Sequence, residues 1–242
     1  MKISFFFGTM ICLSVLAGSA SGQPAPSSPQ VAKHFEAKVT TTVKLDYLLF
    51  LPKGYEDADK RWPLMLFLHG AGESGSDLAK VKVHGPPKIV ESKPDFPFIL
   101  VSPQSSGRGW SVDVLNALLD DLIRQYRVDP DRVYLTGLSM GGYGTWSLAA
   151  AHPEKFAALV PICGGGNPGD ASKLARLPIW VFHGAKDNAV PVRRSEEMVE
   201  AIKSAGGSPK LTIYPDAGHD SWTETYNNPE LYQWLLEQKR KP

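Results

Sequence analysis

Short apolar runs alternate with amphipathic segments along most of the chain. Runs that are apolar throughout predict strands of a parallel sheet covered on both faces. Pro63–Leu68 is such a run, and similar runs are Pro97–Val101, Arg132–Leu135, Phe156–Ile162, Pro178–Phe182 and Lys210–Tyr214. Val39–Leu51 is β-branched and partly alternating, which predicts an early edge strand.

Three segments have the apolar spacing of helices. In Val114–Tyr126, apolar residues fall on one face and most charged residues on the other, with Ser111 as the expected N-cap. Val192–Ala205, followed by Gly206, and Pro229–Gln238 are the other two. Alternating strands and helices predict an α/β sheet, in which functional groups follow the carboxyl ends of the strands.

The first 22 residues have the pattern of a secretory signal peptide. Lys2 precedes the apolar run Ile3–Leu16, and small residues follow, with cleavage expected after Ala20 or Gly22. An uncleaved membrane anchor is the alternative, but the run is short for a membrane span. Residues 23–30 predict a flexible, proline-rich leader, and residues 31–242 predict one folded domain. We therefore expect a secreted or periplasmic protein without stable membrane insertion.

Charge and cysteine content narrow the classes of partner. The chain has 26 Lys and Arg against 25 Asp and Glu, a formal charge of +1, which argues against nucleic acid or an anionic membrane as partner. Signal cleavage removes Lys2 and Cys12 and leaves Cys163 without an intrachain disulfide partner. The sequence favours no particular oligomeric state.

Three predicted strand ends carry a nucleophile, an acid and a base. Gly137-x-Ser139-x-Gly141 follows one strand and has the pattern of a nucleophile elbow, whose glycines permit a tight strand-to-helix turn. Asp187 and His219 lie in loops after two later strands, in the order serine, acid, histidine. We expect His219 to take the Ser139 proton and Asp187 to orient His219. Asp216 and Asp220 are read as loop acids.

The glycine-rich loop after Pro63–Leu68 is a candidate oxyanion hole. We expect the backbone N–H groups of Met140 and Ala71 as donors, with Gly70 as the alternative to Ala71. No phosphate-binding glycine motif and no cluster of metal-ligating residues stands out in the sequence, so neither cofactor nor metal is expected. The remaining histidines are read as turn-shaping (His69, His183) or as surface residues (His34, His84, His152).

Five segments occur in this spacing in a known group of enzymes: Leu68–Gly75, Gly137–Gly142, Pro161–Gly166, His183–Pro191 and Gly218-His219. On these residues the sequence resembles secreted α/β-hydrolase esterases of the phospholipase/carboxylesterase and feruloyl-esterase-like type, whose relatives are often labelled predicted peptidases. The resemblance covers residues 38–238. It implies an α/β-hydrolase fold, with a mostly parallel central sheet and helices on both faces. It also implies Ser139, Asp187 and His219 as catalytic residues and Ala71 and Met140 as oxyanion donors. Dienelactone hydrolases resemble this chain less, because cysteine occupies their elbow, whereas Cys163 lies outside it.

The connection Pro161–Leu177 is too short for a cap domain, which predicts an open site. An open site on an exported protein suits a small-molecule or polysaccharide-linked ester, with an acetyl or a phenolic acyl group. Trp110, Tyr143 and Trp222 are candidates for an aromatic substrate wall, or else pack the core, and Gln104–Gly109 is a candidate contact loop. The sequence thus favours a serine carboxylesterase. The alternatives are a serine exopeptidase on the same fold and a non-catalytic binding protein.

Overall fold

The computed structural model describes residues 42–107 and 109–240. Within these ranges, seven strands form one sheet in the order β1-β3-β2-β4-β5-β6-β7. The strands are β1 (Tyr47–Phe50), β2 (Trp62–Leu68), β3 (Ile99–Pro103), β4 (Val128–Leu138), β5 (Ala158–Ile162), β6 (Trp180–Gly184) and β7 (Lys210–Tyr214). β1 pairs antiparallel with β3, and the other neighbouring strands are parallel. The predicted α/β fold with a mostly parallel sheet is confirmed.

Helices connect the strands and cover the sheet. They are α1 (Gly85–Ser92), α2 (Val112–Gln125), α3 (Met140–Ala151), α4 (Ala171–Leu174), α5 (Arg193–Ser204), α6 (Trp222–Asn227) and α7 (Pro229–Glu237). Short 3-10 helices occur at Ala71–Glu73, Leu78–Val83, Pro153–Lys155 and Pro168–Asp170. Ser111 caps α2 as predicted, because its side chain accepts a hydrogen bond from the Val114 N–H group.

The sheet separates two hydrophobic clusters, which explains why its central strands β2 and β5 are apolar throughout. Side chains of β2 alternate between the two faces: Leu64, Leu66 and Leu68 join the cluster that α2, α3 and α5 cover. Met65 and Phe67 join the cluster that α6 and α7 cover. Helices therefore lie on both faces, as the resemblance implies.

Several element ends differ from the sequence predictions. β7 begins and ends as predicted, whereas β6 starts later than expected and continues through His183 and Gly184. β4 is also longer and runs up to Leu138, directly before the predicted nucleophile. The edge strand β1 is the later part of the predicted segment Val39–Leu51, of which residues 39–41 lie outside the described residues.

The connection from β5 to β6 contains only the 3-10 helix Pro168–Asp170 and the four-residue helix α4. No cap domain covers the carboxyl ends of the strands in the described residues. The predicted signal peptide and leader, residues 1–30, lie outside those residues. Among the helices of residues 42–107 and 109–240, none combines the length and apolar character needed to span a bilayer.

Candidate active site

The carboxyl ends of four parallel strands bring the candidate residues to one edge of the sheet. The segment after β2 leads to Ala71, and β4 leads directly to Ser139. The loops after β6 and β7 carry Asp187 and His219. Parallel strands point their carboxyl ends the same way, so residues far apart in sequence meet at this edge.

The turn at Ser139 is tight and strained. Ser139 has a φ of +52°, a conformation that non-glycine residues rarely adopt. A Cβ at Gly137 would lie 2.4 Å from the Gly141 carbonyl oxygen, and one at Gly141 would lie 1.9 Å from the Leu68 carbonyl oxygen. The two glycines therefore allow β4 to pass directly into α3, with Ser139 at the apex between them.

Ser139, His219 and Asp187 form one hydrogen-bonded chain. Ser139 Oγ lies 2.9 Å from His219 Nε2, and His219 Nδ1 lies 2.7 Å from Asp187 Oδ2. Nδ1 faces a carboxylate, so it carries the proton, and Nε2 is left to accept from the serine hydroxyl. The two competing acids lie elsewhere: Asp216 pairs with Lys186 at 2.7 Å, and Asp220 accepts from the Thr223 N–H group at 3.1 Å.

The Asp187 carboxylate is held by donors on both oxygens. Oδ1 accepts from the N–H groups of Ala189 and Val190, each at 2.9 Å. Burial alone would raise the pKa of Asp187, but the hydrogen bonds from His219, Val190 and Ala189 outweigh it and hold the pKa below its usual value. The group is therefore ionised at neutral pH, the state in which it attracts a proton on His219 Nδ1.

The candidate oxyanion donors each begin a helix. Ala71 starts the 3-10 helix after β2, and Met140 starts α3, so neither N–H group has an acceptor within its own helix. The Gly70 N–H group donates instead to Glu73 Oε2 at 2.9 Å. This bond leaves Ala71 rather than the alternative, Gly70, as the available donor in the loop.

His69 fixes this loop, as its turn-shaping interpretation predicts. Its Nδ1–H donates to the Gly70 carbonyl oxygen at 2.6 Å, and its Nε2 accepts from the Ser105 N–H group at 3.0 Å. Burial lowers the pKa of His69, so the ring is neutral in this arrangement. Gln104 adds a second tie, because its side-chain amide donates to the carbonyl oxygens of Glu73 and Asp77.

The expectation for Gln104–Gly109 as a substrate-contact loop is wrong for its first two residues. Gln104 and Ser105 are buried and bond to the loop after β2, Gln104 at the Glu73 carbonyl and Ser105 at the His69 ring. Gly109 and the following Trp110 do line an open cleft of about 400 Å³. Arg108 lies outside the described residues.

The three candidate aromatic residues have different positions. Trp110 and Tyr143 line the cleft that contains Ser139. Trp222 does not line this cleft; its ring packs edge-to-face on His219, with ring centroids 5.3 Å apart. Trp222 also packs on His84 at 5.3 Å.

His84 is not the simple surface residue that the sequence suggests. It is half-buried between Trp222 and Glu73, whose Oε1 lies 3.9 Å from His84 Nε2. His152 is partly exposed beside Glu154, and His34 lies outside the described residues. No local pattern could reveal the His84 contact, because Trp222 is far away in the sequence.

Cys163 lies beside the Ser139–His219–Asp187 chain. Its Sγ, one carboxylate oxygen of Asp187 and one ring nitrogen of His219 lie within 4.8 Å of one another. Three ligand atoms this close together are a candidate metal site that the sequence spacing does not reveal. Burial raises the pKa of the thiol to about 12, so it is a neutral group, and the other two residues already bond each other. Cys163 is therefore buried structure next to the site, as the sequence predicts.

His183 is a site residue that sequence reasoning missed. The sequence predicts a turn-shaping residue, whereas His183 is buried in β6 with its Nε2 3.1 Å from Asp187 Oδ2. The available signal was its position four residues before Asp187, at the end of a strand that proved longer than expected.

The sheet is mostly parallel, and its strand ends bring Ser139, His219 and Asp187 together beside an uncapped cleft. This combination defines the α/β-hydrolase class. The chain belongs to the dienelactone hydrolase family, whose model matches residues 100–232, more than half of its length. Ser139 stands at the elbow where a cysteine is expected in dienelactone hydrolases, so the family alone does not identify the nucleophile.

Relatives and solved structures agree with this class. The chain is 28% identical to a probable feruloyl esterase C of Aspergillus terreus, over 72% of this chain and 66% of that protein. It is 26% identical to a probable feruloyl esterase C of Aspergillus niger, over 93% and 85% of the two chains. A crystal structure of a thermostable esterase matches with a TM-score of 0.71 and 35% identity, over 83% of this chain and 60% of that one. The chain thus spans less than two thirds of the first of these relatives and of the thermostable esterase.

Proposed function

We propose that the protein is a serine carboxylesterase that acts through an acyl-enzyme. The observation that carries the proposal is the continuous hydrogen-bonded chain from Ser139 through His219 to Asp187. This arrangement has the roles required for acyl transfer: a hydroxyl, a base within hydrogen-bond reach of it, and an acid that orients the base.

The first half-reaction forms the acyl-enzyme. Ser139 Oγ attacks the ester carbonyl while its proton moves to His219 Nε2, and Asp187 stabilises the resulting imidazolium. The negative charge on the carbonyl oxygen is met by the N–H groups of Ala71 and Met140. His219 then returns the proton to the leaving alcohol, and the ester C–O bond breaks.

The second half-reaction restores the enzyme. Water attacks the Ser139 acyl ester while His219 takes its proton, and the same two N–H groups meet the oxyanion. Collapse of this intermediate returns the proton to Ser139 Oγ and releases the carboxylic acid.

The cleft supports a flat acyl group as substrate. Ser139 lies in an open cleft that Trp110 and Tyr143 also line, and the Trp110 ring closely covers Gly144. Aromatic side chains in the lining of the cleft favour a planar, apolar group, such as a phenolic acyl chain. The feruloyl esterase relatives support this assignment, and the absence of a cap in the described residues supports an ester linked to a polysaccharide.

Export completes the proposal. Residues 1–22 have the pattern of a cleaved signal peptide, which suits a substrate met outside the cell or in the periplasm. The N-terminal sequence of protein recovered from the exported fraction checks this directly, since cleavage after Ala20 or Gly22 is expected.

The decisive experiment compares the wild type with Ser139→Ala on a panel of substrates. The panel contains p-nitrophenyl acetate, a methyl hydroxycinnamate, an acetylated xylan and an aminoacyl anilide. We expect ester cleavage to fall about 10⁴-fold or more in Ser139→Ala, with an unchanged melting temperature. Ser204→Ala, an exposed serine at the end of α5, is the matched control and should behave as wild type.

The panel also separates the alternatives. Retention of full activity in Ser139→Ala would refute the assignment of the nucleophile. Cleavage of the anilide in preference to the esters would replace the esterase by a serine exopeptidase. Failure of the folded wild type to cleave any panel ester would contradict the proposed substrate class.

A further inference from the structure

A buried histidine outside the acyl-transfer mechanism contacts its acid. The His183 side chain is fully buried. Its Nε2 lies 3.1 Å from Asp187 Oδ2 and 2.9 Å from the Val190 carbonyl oxygen. Its Nδ1 lies 2.7 Å from Ser195 Oγ. Every polar atom of the ring therefore has a partner.

The neighbours determine where the ring carries its proton. A carboxylate oxygen and a carbonyl oxygen can only accept, so Nε2 must be an N–H donor towards Asp187 and Val190. Nδ1 faces the Ser195 hydroxyl, which can either donate to the ring or accept from it while donating to the Gly164 carbonyl oxygen at 3.0 Å. In both arrangements Nε2 remains the donor to the acid.

His183 ties the acid loop to β6 at two points. Its Nε2–H faces Asp187 at the start of the loop and the Val190 carbonyl at its end. Asp187 Oδ1 in turn accepts from the N–H groups of Ala189 and Val190. Without His183, the Oδ2 oxygen would have His219 as its remaining donor, and the carboxylate would turn more freely.

We propose that His183 is a positioning residue for catalysis, whose Nε2–H holds Asp187 Oδ2 so that the carboxylate keeps His219 aligned with Ser139. The inference rests on the proposed function of Ser139, His219 and Asp187. Catalytic alignment is sensitive to displacements of about 1 Å, which can cost on the order of 100-fold in rate. A group that fixes the acid therefore acts on turnover rather than on substrate binding.

Two amide substitutions separate positioning from packing. His183→Gln places an amide N–H near the position of Nε2, whereas the shorter His183→Asn reaches only the region of Nδ1. We expect His183→Asn to lower kcat about 100-fold with little change in KM, and His183→Gln to stay within about tenfold of wild type. His183→Leu, which lacks any donor, serves as the second loss variant if His183→Asn does not fold.

A stability control and a spectroscopic readout complete the design. Thr136→Val removes another buried hydrogen-bonding side chain, one that bonds the Val160 carbonyl and the Tyr226 hydroxyl, and it should reduce stability without the loss of kcat. The His219 Nδ1–H proton should give a low-field proton resonance, assigned by its absence in His219→Ala. We expect His183→Asn to shift or broaden this resonance and His183→Gln to retain it.

The outcomes distinguish this inference from the function on which it rests. If His183→Asn and His183→Leu keep kcat within threefold while Ser139→Ala is inactive, the positioning role is wrong and the esterase assignment stands. Equal losses of kcat in His183→Gln, His183→Asn and Thr136→Val would show that the role of His183 is merely structural. Full activity in Ser139→Ala would overturn both proposals.

Discussion

Gly141, the third residue of the elbow pattern, offers a test of how closely the nucleophile turn packs against β2. A Cβ at this position would lie 1.9 Å from the carbonyl oxygen of Leu68, 2.5 Å from its carbonyl carbon and 2.8 Å from the carbonyl oxygen of His69. These are backbone atoms, and Leu68 is paired with Gly137 in the sheet. Gly141→Ala therefore cannot be accommodated by rotating a flexible side chain.

The size of the effect follows from the distances. Ordinary van der Waals contact begins at 3.4 Å, so the Leu68 carbonyl and the elbow must separate by roughly 1.5 Å. Overpacking typically lowers the free energy of unfolding by about 1–3 kcal/mol. Because Gly141→Ala clashes with sheet backbone, we expect a loss at or above the upper end of this range. Leu68 leads into the loop of Ala71, so we also expect a loss of kcat on the order of 100-fold in the protein that folds.

The assay combines urea unfolding with steady-state hydrolysis of p-nitrophenyl acetate. Gly107→Ala is the control, because a Cβ there meets nothing within 4 Å and its backbone does not require glycine. We expect Gly107→Ala to stay within about 0.5 kcal/mol of wild type. A Gly141→Ala protein with wild-type stability and kcat would refute the close packing between the elbow and the end of β2.

Three further predictions concern the acid, the thiol and a buried histidine. Asp187→Asn should lower kcat by about 10⁴-fold, because an amide N–H directed at His219 favours the wrong tautomer; steady-state kinetics within tenfold of wild type would contradict this. Cys163 should resist iodoacetamide at pH 8 in the native protein and react after unfolding, since burial raises its pKa to about 12; labelling of the native Cys163 peptide, detected by mass spectrometry, would contradict it. Burial lowers the pKa of His69, so the unfolded chain binds the proton first, and stability should fall as pH drops below about 6.5. Between pH 7.5 and 5.5, the free energy of unfolding measured in urea should decrease more for wild type than for His69→Gln. Equal decreases in the two proteins would count against a buried neutral ring.

Sequence pattern was sufficient for the sheet and for the order of the site residues. Strands buried on both faces need apolar residues at every position. Residues 64–68 show this pattern because alternate side chains join the two hydrophobic clusters on opposite faces of the sheet. The positions of Ser139, Asp187 and His219 follow from the same reading, because parallel strands present their carboxyl ends at one edge.

Contacts between distant segments could not be read from local pattern. His84 meets Trp222, and Cys163 meets Asp187 and His219, only because the fold brings separate loops together. The turn prediction for His183 fails for a different reason: β6 runs two residues further than its apolar run, so His183 is a buried strand residue. Hydrophobic periodicity predicts polar residues to be exposed or in turns, so it gives the wrong position for those that the fold buries.

The place of β7 in the sheet determines how the site fails under denaturing conditions. The nucleophile follows β4, which is paired on both sides, whereas the base follows β7, which has β6 as its only neighbour among the described strands. Opening free energies within one protein are lowest where the fewest contacts must break. As urea increases, His219 should therefore leave Ser139 while the central strands are still paired. Inactivation and global unfolding would then be two separate transitions, and an activity-based midpoint would understate the stability of the fold.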